Sequence, residues 1–397
     1  MKKVVAFICS IIICFSSLAY YKYTLEKKIA NEYYDKFGDN VTKNKFKSII
    51  LQKNAEERDD TLTICGSSEI EASLVYKTNP FVFFKNKRDG FQINAYGNAG
   101  YTSLVQAVNL GSLGSSCSGK KVAIILSPQW FTKKGVTENM FESSSSELQV
   151  ASFFFSKNIN IKEKEMLANR IITISKDKHN KNFEMMRSIC RLYINNNKKT
   201  VLKRYILYPY FWMRYEMLSI KDDINADKLL SSKKNQIKYI EPQKDNIDWK
   251  KEISKVTADS AKKSNNNRYG FDNDVYTKKY ASKLKEYKNS AKNDSYRVSP
   301  EYDDLKLMLQ ICKDNGIKPL IINVPVNGYW YDFAGFDKND RQDYYKKVSN
   351  IIKDYGFEEA DFSNHEYDKN FFKDPGHLGE KGCIYVDQAI DEYYNEN

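Results

Sequence analysis

Histidine is scarce: the 397-residue chain has three, His179, His365 and His377. Any mechanism with a histidine base must choose among them. Seven cysteines are present, yet no two stand as Cys-x-x-Cys. Cys9 and Cys14 fall in an apolar N-terminal run, and Cys65, Cys117, Cys190, Cys312 and Cys383 are widely scattered. An odd, scattered set excludes a disulfide framework and gives no metal-ligand spacing, so neither a metal nor a cofactor is expected. Cys65 and Cys312 have apolar neighbours and read as core. The chain also lacks a zinc-finger spacing, an RNA-binding signature and a cluster of lysines on one helix, which argues against nucleic acid as a partner. No internal repeat is evident.

Hydrophobic residues make up 41% and charged residues 29%, the balance of a folded chain long enough for one large domain or two ordinary ones. A formal charge of +12 favours a polyanionic partner such as anionic lipid or a phosphate-containing wall polymer. The 29 tyrosines suggest clefts or a sugar-facing surface, or else a compositional bias.

Residues 4–21 carry no charge and are long enough to cross a hydrocarbon core of roughly 30 Å. Ser17-Leu-Ala19 fits the small-x-small pattern of signal cleavage, but the run exceeds a usual signal core. Residues 1–22 are therefore expected to be an uncleaved anchor, with 23–60 a stalk and the rest outside the cell. Lysines flank both ends, so charge alone does not fix that orientation.

Strands are expected at 61–65, 91–96, 122–126, 318–324 and 357–362, with helices at 69–76, 102–110, 302–315, 341–355 and 382–394. This alternation predicts an α/β fold, a doubly wound parallel sheet of flavodoxin-like type over residues 61–397. A Lys-, Asn- and Ser-rich stretch at about 138–300 reads as a mostly helical insertion, with helices at 162–175, 182–195 and 201–220. Residues 143–146 read as a loop, and 231–267 show little apolar periodicity.

Two stretches carry the chemistry. In Thr61-Leu-Thr-Ile-Cys-Gly-Ser-Ser-Glu69, a serine follows a strand at a turn into a helix, the sheet edge where open α/β folds keep ligands. Ser68-Glu69-Ile70-Glu71 equally fits a capping box, so this stretch leaves Ser68 either a cap or a nucleophile. In Asp374-Pro-Gly-His377, a tight turn lets the carboxylate reach the ring N–H and leaves the other nitrogen free as a base. His179 and His365 lie in polar loop-like contexts.

An early Gly-x-Ser and a late Asp-x-x-His resemble the two halves of the SGNH hydrolase arrangement. Gly66-Ser-Ser-Glu69, Ser127-Pro-Gln-Trp-Phe131, Pro325-Val-Asn-Gly-Tyr-Trp-Tyr-Asp332 and Asp374-Pro-Gly-His-Leu-Gly379 resemble, within it, the DltD family of membrane-anchored D-alanyl transfer proteins of Gram-positive bacteria. The resemblance implies Ser68 as nucleophile, His377 as base and Asp374 as its orienter. It implies oxyanion donors from the Ser68 N–H, the Gln129 amide and a glycine after the second strand, Gly100 in preference to Gly97. Trp130, Asn327, Trp330 and Asp332 either line the pocket or are aromatic core and turn residues. The implied role is transfer of D-alanine, as an ester, onto lipoteichoic acid, with a membrane O-acyltransferase and a D-alanyl carrier protein as partners. The alternatives are an SGNH esterase or thioesterase, and a carrier- or polymer-binding scaffold without catalysis.

Overall fold

Five short strands build one parallel sheet: β1 (Thr61–Cys65), β2 (Gln92–Tyr96), β3 (Lys121–Leu126), β4 (Lys318–Asn323) and β5 (Glu358–Asp361). Their spatial order is β2-β1-β3-β4-β5. The computed structural model describes residues 2–37, 48–72, 76–84, 88–175, 181–232 and 246–396. All five expected strands form, with no bound moved by more than one residue. In register, Cys65 stands beside Tyr96 and Ile124, and Ile124 beside Ile321.

The central strands β3 and β4 are rich in Ile and Leu because helices cover both faces, so alternate side chains enter two separate cores. Val122, Ile124 and Leu126 join Cys65 and Ile321 in the core shared with helices Ser103–Leu113, Glu301–Asp314 and Lys338–Tyr355. Ala123 and Ile125 join Leu62, Ile64, Leu320 and Ile322 on the other face, beneath the C-terminal helix Glu380–Asn395. Cys65 and Cys312 are fully buried, and all seven cysteines are free.

Residues 127–317 lie between two paired neighbours, β3 and β4, and contain no strand among their described residues. Three features there differ from expectation. Ser143 and Ser144 close a helix, Glu138–Ser144, and Ser146 caps the next, Glu147–Phe155, in a reciprocal pair with Gln149. The serine run is thus a helix junction, because a serine hydroxyl satisfies the open N–H groups of a helix start. Trp249–Lys263 is helical although its pattern is faint. Its apolar residues Trp249, Ile253 and Val256 are only half-buried, and the Trp249 indole donates to Asp391 Oδ2 at 2.9 Å. The expected helix at 201–220 extends over Lys198–Leu230, because Asn197 and Thr200 cap it earlier and Pro209 does not end it.

The N-terminal helix runs Lys2–Phe37, and its Lys2–Glu32 part is long and apolar enough to cross a membrane or to act as a signal sequence. Two ion pairs tie it to the Lys198–Leu230 helix: Lys22 to Glu216 at 2.9 Å and Lys28 to Asp227 at 2.6 Å. Both numbers rise together, so the two helices run parallel. His179, residues 38–47 of the expected stalk, 73–75 of the expected first helix and 233–245 lie outside the described residues.

Candidate active site

In the order β2-β1-β3-β4-β5, successive connections leave β1 and β3 toward opposite faces, which opens a crevice between their carboxyl ends. Ser68 follows β1 and Gln129 follows β3, so both stand at that crevice. The turns after β1 and β2 touch at two glycines, Gly66 and Gly97. A Cβ on Gly97, whose φ is +148°, would stand 1.9 Å from the Gly66 carbonyl oxygen.

The tandem serines separate by geometry. Ser67 is buried, and its Oγ accepts the N–H groups of Gly100 at 3.0 Å and Tyr101 at 3.3 Å. Ser68 is the first residue of the short helix Ser68–Ala72, half-buried, with Oγ 2.9 Å from His377 Nε2. Its hydroxyl therefore serves the histidine instead of capping the helix.

His377 is delivered by a closed loop. The Lys373 N–H donates to the His377 carbonyl at 2.8 Å, and Gly379 N–H to the Phe371 carbonyl at 2.9 Å. Within it, Asp374 Oδ1 accepts the backbone N–H of Gly376 at 3.1 Å and of His377 at 3.0 Å. The ring Nδ1 lies 2.9 Å from Oδ1 and 3.0 Å from Oδ2. With Nδ1 as the donor, Nε2 is left to accept the Ser68 proton.

The charges support that tautomer. Burial opposes ionisation of Asp374, but the hydrogen bond and charge of His377, with the two backbone N–H groups, hold its carboxyl below the usual range. Burial also opposes protonation of His377, but Asp374, through hydrogen bond and charge, and then Glu69 hold the ring above its ordinary 6.5. Glu69 is a residue that the sequence did not single out. It is buried, accepts the Ser67 N–H at 2.7 Å and places a second negative charge near the imidazole. Its own carboxyl is pushed up, chiefly by burial. Ser67 was equally hidden, because only coordinates tell which of two adjacent hydroxyls faces the ring.

The remaining candidates divide. Gln129 is half-buried beside the loop: a Cβ on Gly376 would lie 3.4 Å from its Oε1. It lines a cleft of about 950 Å³ with Lys133, Lys134, Trp330, Tyr331 and Pro375. Gly100, the expected backbone donor, gives its N–H to Ser67 instead, which leaves Gly97 as the glycine closing β2. Asn327 does not line the cleft. It is buried, accepts the Trp330 N–H at 2.9 Å and donates to the Tyr269 carbonyl at 2.9 Å, and its own N–H reaches the Pro375 carbonyl at 3.0 Å. It ties the end of β4 to the catalytic-loop candidate. Trp130 is half-buried near the crevice and is not part of the cleft wall. Asp332 turns away, to Arg341 at 2.7 Å and Tyr367 at 2.8 Å. His365 pairs with Asp368 at 2.9 Å and stacks on Phe371 at 4.5 Å, so it supports the loop from behind.

Residues before β4 also reach the site. Tyr269, Phe271, Tyr280 and Tyr287 surround Trp330 with ring centroids 5.0–5.4 Å away. The Asp272 N–H donates to the Lys373 carbonyl at 3.2 Å. Burial and the nearby Asp374 charge push the Tyr280 hydroxyl up, so it stays protonated.

A hydroxyl, an imidazole and a carboxylate linked in this order can activate the hydroxyl as a nucleophile toward an acyl carbon. Comparison with known proteins narrows the relationship. The family model described as DltD protein matches residues 38–395. The chain belongs to the DltD family. It is 37% identical over 352 residues to Protein DltD of Bacillus subtilis (strain 168), covering 88% of this chain and 86% of that protein. Against Protein DltD of Staphylococcus aureus (strain NCTC 8325 / PS 47) the identity is 28% over 353 residues, covering 88% and 85%. Against that of Lacticaseibacillus rhamnosus it is 25% over 342 residues, covering 85% and 78%.

Proposed function

We propose that this DltD-family chain is a membrane-anchored, extracytoplasmic acyltransferase that moves D-alanine, as an ester, onto lipoteichoic acid. The observation that carries the reading is the hydrogen-bonded series Ser68 Oγ, His377 Nε2 and Asp374 at the crevice of the sheet. Ser68 attacks the carbonyl of an activated D-alanyl group, and its proton passes to His377 Nε2. The departing oxygen or sulfur takes that proton, leaving D-alanine esterified to Ser68. A polyol hydroxyl of the polymer then gives its proton to Nε2, attacks the ester carbonyl, and Ser68 Oγ regains the proton as it leaves. The Ser68 N–H, the Gly97 N–H and the Gln129 amide are the donors for the transient oxyanion. Lys133 and Lys134 give the adjoining cleft a positive wall suited to a phosphate-bearing acceptor.

The N-terminal helix is the anchor, with residues 61–397 as one SGNH-like domain interrupted by the helical insertion. A membrane O-acyltransferase and a D-alanyl carrier protein are the proposed pathway partners.

The test is ester-linked alanine on the lipoteichoic acid of cells lacking this gene, complemented with wild type or Ser68→Ala at matched protein levels. Wild type should restore the ester and the variant should not. Restoration by both would favour a scaffold role and remove Ser68 from the chemistry. Acyl release to water compared with release to a glycerol-phosphate oligomer separates transferase from esterase.

A further inference from the structure

The helix Lys198–Leu230 has two apolar faces, and the fold uses only one. Its inner face packs on the domain. Phe211 is buried, Leu207, Tyr215 and Leu218 lie against the main core, and Arg204 sits 4.3 Å from the Tyr193 ring. The other face carries Leu202, Tyr205, Ile206, Tyr210, Met213 and Met217, a stripe at helical spacing. These residues are exposed, from 47% at Met213 to 77% at Tyr205. Outside the N-terminal helix, the exposed large apolar residues found elsewhere among the described residues are Ile161, Met166 and Val298. A helix apolar all round needs a second apolar environment.

Position says which. The helix runs parallel to the N-terminal helix and is joined to it at Lys22–Glu216. N-terminal to that pair, the membrane-length segment is uncovered, so the two helices diverge from the point where an anchor leaves the bilayer. Eighteen residues separate Lys198 from Glu216 in the sequence, roughly 27 Å of helix, so the whole stripe lies near that point. Tyrosine and tryptophan are the side chains that favour the headgroup zone, and Trp212 adds to the stripe. Lys198, Lys199 and Lys203 crowd its N-terminal end, a charge suited to anionic headgroups.

The geometry points to the first half of the Lys198–Leu230 helix as a second membrane contact, with the Leu202–Met217 stripe seated in the outer, anionic lipid surface beside the anchor. This rests on the reading of the N-terminal helix as an anchor. The two contacts together fix the tilt of the domain, where a single helix leaves it free to swing.

The full chain is reconstituted into vesicles of phosphatidylcholine and phosphatidylglycerol whose acyl chains carry bromine near the headgroup. Bromine quenches the fluorescence of tryptophans in contact with lipid. Wild type should be quenched, and Trp212→Phe should lose most of that quenching with an unchanged melting temperature. Ile206→Glu combined with Met213→Glu should abolish it through the stripe itself. Vesicle flotation after alkaline wash reads the anchor separately. Protein that floats, with quenching unchanged by Trp212→Phe or absent altogether, overturns the lipid contact and leaves the stripe to a protein partner. Protein that does not float overturns the anchor on which the inference rests.

Discussion

Replacing Asp374 by asparagine should disable Ser68 without disturbing the fold, and the structure says why. Oδ1 is bound by two backbone N–H groups, at 3.1 and 3.0 Å, as well as by the ring. Oδ2 faces only the ring nitrogen, at 3.0 Å, among the described residues. The asparagine oxygen will keep the backbone donors, so its amino group will take the place of Oδ2 and point at Nδ1. A donor there forces the ring proton onto Nε2, and the atom facing Ser68 ceases to be a base. Loss of the carboxylate also removes a charged hydrogen bond of about 1.5–3 kcal/mol to the imidazolium, tenfold to a hundredfold in rate. With the wrong tautomer added, the expected loss is about 10³–10⁴-fold. The assay is the rate at which a fluorophosphonate labels Ser68 in the full chain, measured across pH, with Ser68→Ala as the blank. His377 must be neutral to act, so the wild-type rate should rise with pH through a value above the ordinary 6.5. In any residual Asp374→Asn activity that rise should move to lower pH, because the charge holding the proton is gone. A variant labelled within about tenfold of wild type, with an unmoved pH profile, would refute the reasoning.

Three further outcomes follow from other parts of the molecule. Gln129→Ala should slow labelling by about 10²–10³-fold while leaving the melting temperature unchanged, and an unchanged rate removes Gln129 from the oxyanion donors. Arg341 is fully buried and donates to Glu366 at 2.5 Å, Asp332 at 2.7 Å and the Phe336 carbonyl at 2.8 Å. Arg341→Met leaves the Glu366 charge buried and should cost about 3–5 kcal/mol in urea unfolding, and a cost near that of a surface pair would contradict this. Burial pushes Glu56 up from 4.5 to about 7. The unfolded chain loses that proton first, so the wild type should lose stability, on the order of 3 kcal/mol, as pH rises from 4.5 through 7. Glu56→Gln should lack this component, and identical pH slopes for the two proteins would overturn it.

The sheet was legible in the sequence because its central strands are short apolar runs and the α/β alternation places the polar edge strand Glu358–Asp361 after them. Val122–Leu126 and Leu320–Ile322 needed no alternation to be read, since both of their faces are covered. What escaped was set by contacts between distant segments. The Trp249–Lys263 helix buries only part of a face, against a helix more than a hundred residues later, so its pattern is faint. Gly100 looked a better oxyanion donor than Gly97 until its N–H was seen to belong to Ser67. Asn327 and Asp332 sat in a recognisable motif, but the motif holds the loop: Asn327 binds Pro375, and Asp332 binds the Arg341 that also holds Glu366.

The position of the long insertion explains how one chain could combine transfer chemistry with a membrane setting. It leaves the sheet after β3, and its far end meets the start of the Glu301–Asp314 helix, where Glu301 accepts the N–H of Ser103 just beyond β2, so both of its ends lie at the edge that carries Ser68 and His377. Its later part packs Tyr269, Phe271 and Tyr280 around Trp330 and binds the loop of Asp374 through Asp272. Its middle part is the helix that pairs with Lys22 and Lys28. On the proposed reading, an acyl-enzyme must wait for a polymer hydroxyl in the presence of water, and fixing the site's height above the lipid raises the local concentration of a lipid-linked acceptor. Insertion and site are then coupled mechanically. Substituting the exposed stripe should lower transfer to a membrane-bound acceptor while leaving fluorophosphonate labelling of Ser68 unchanged. Equal losses in both would mean that the stripe matters to the fold of the site and not to its placement.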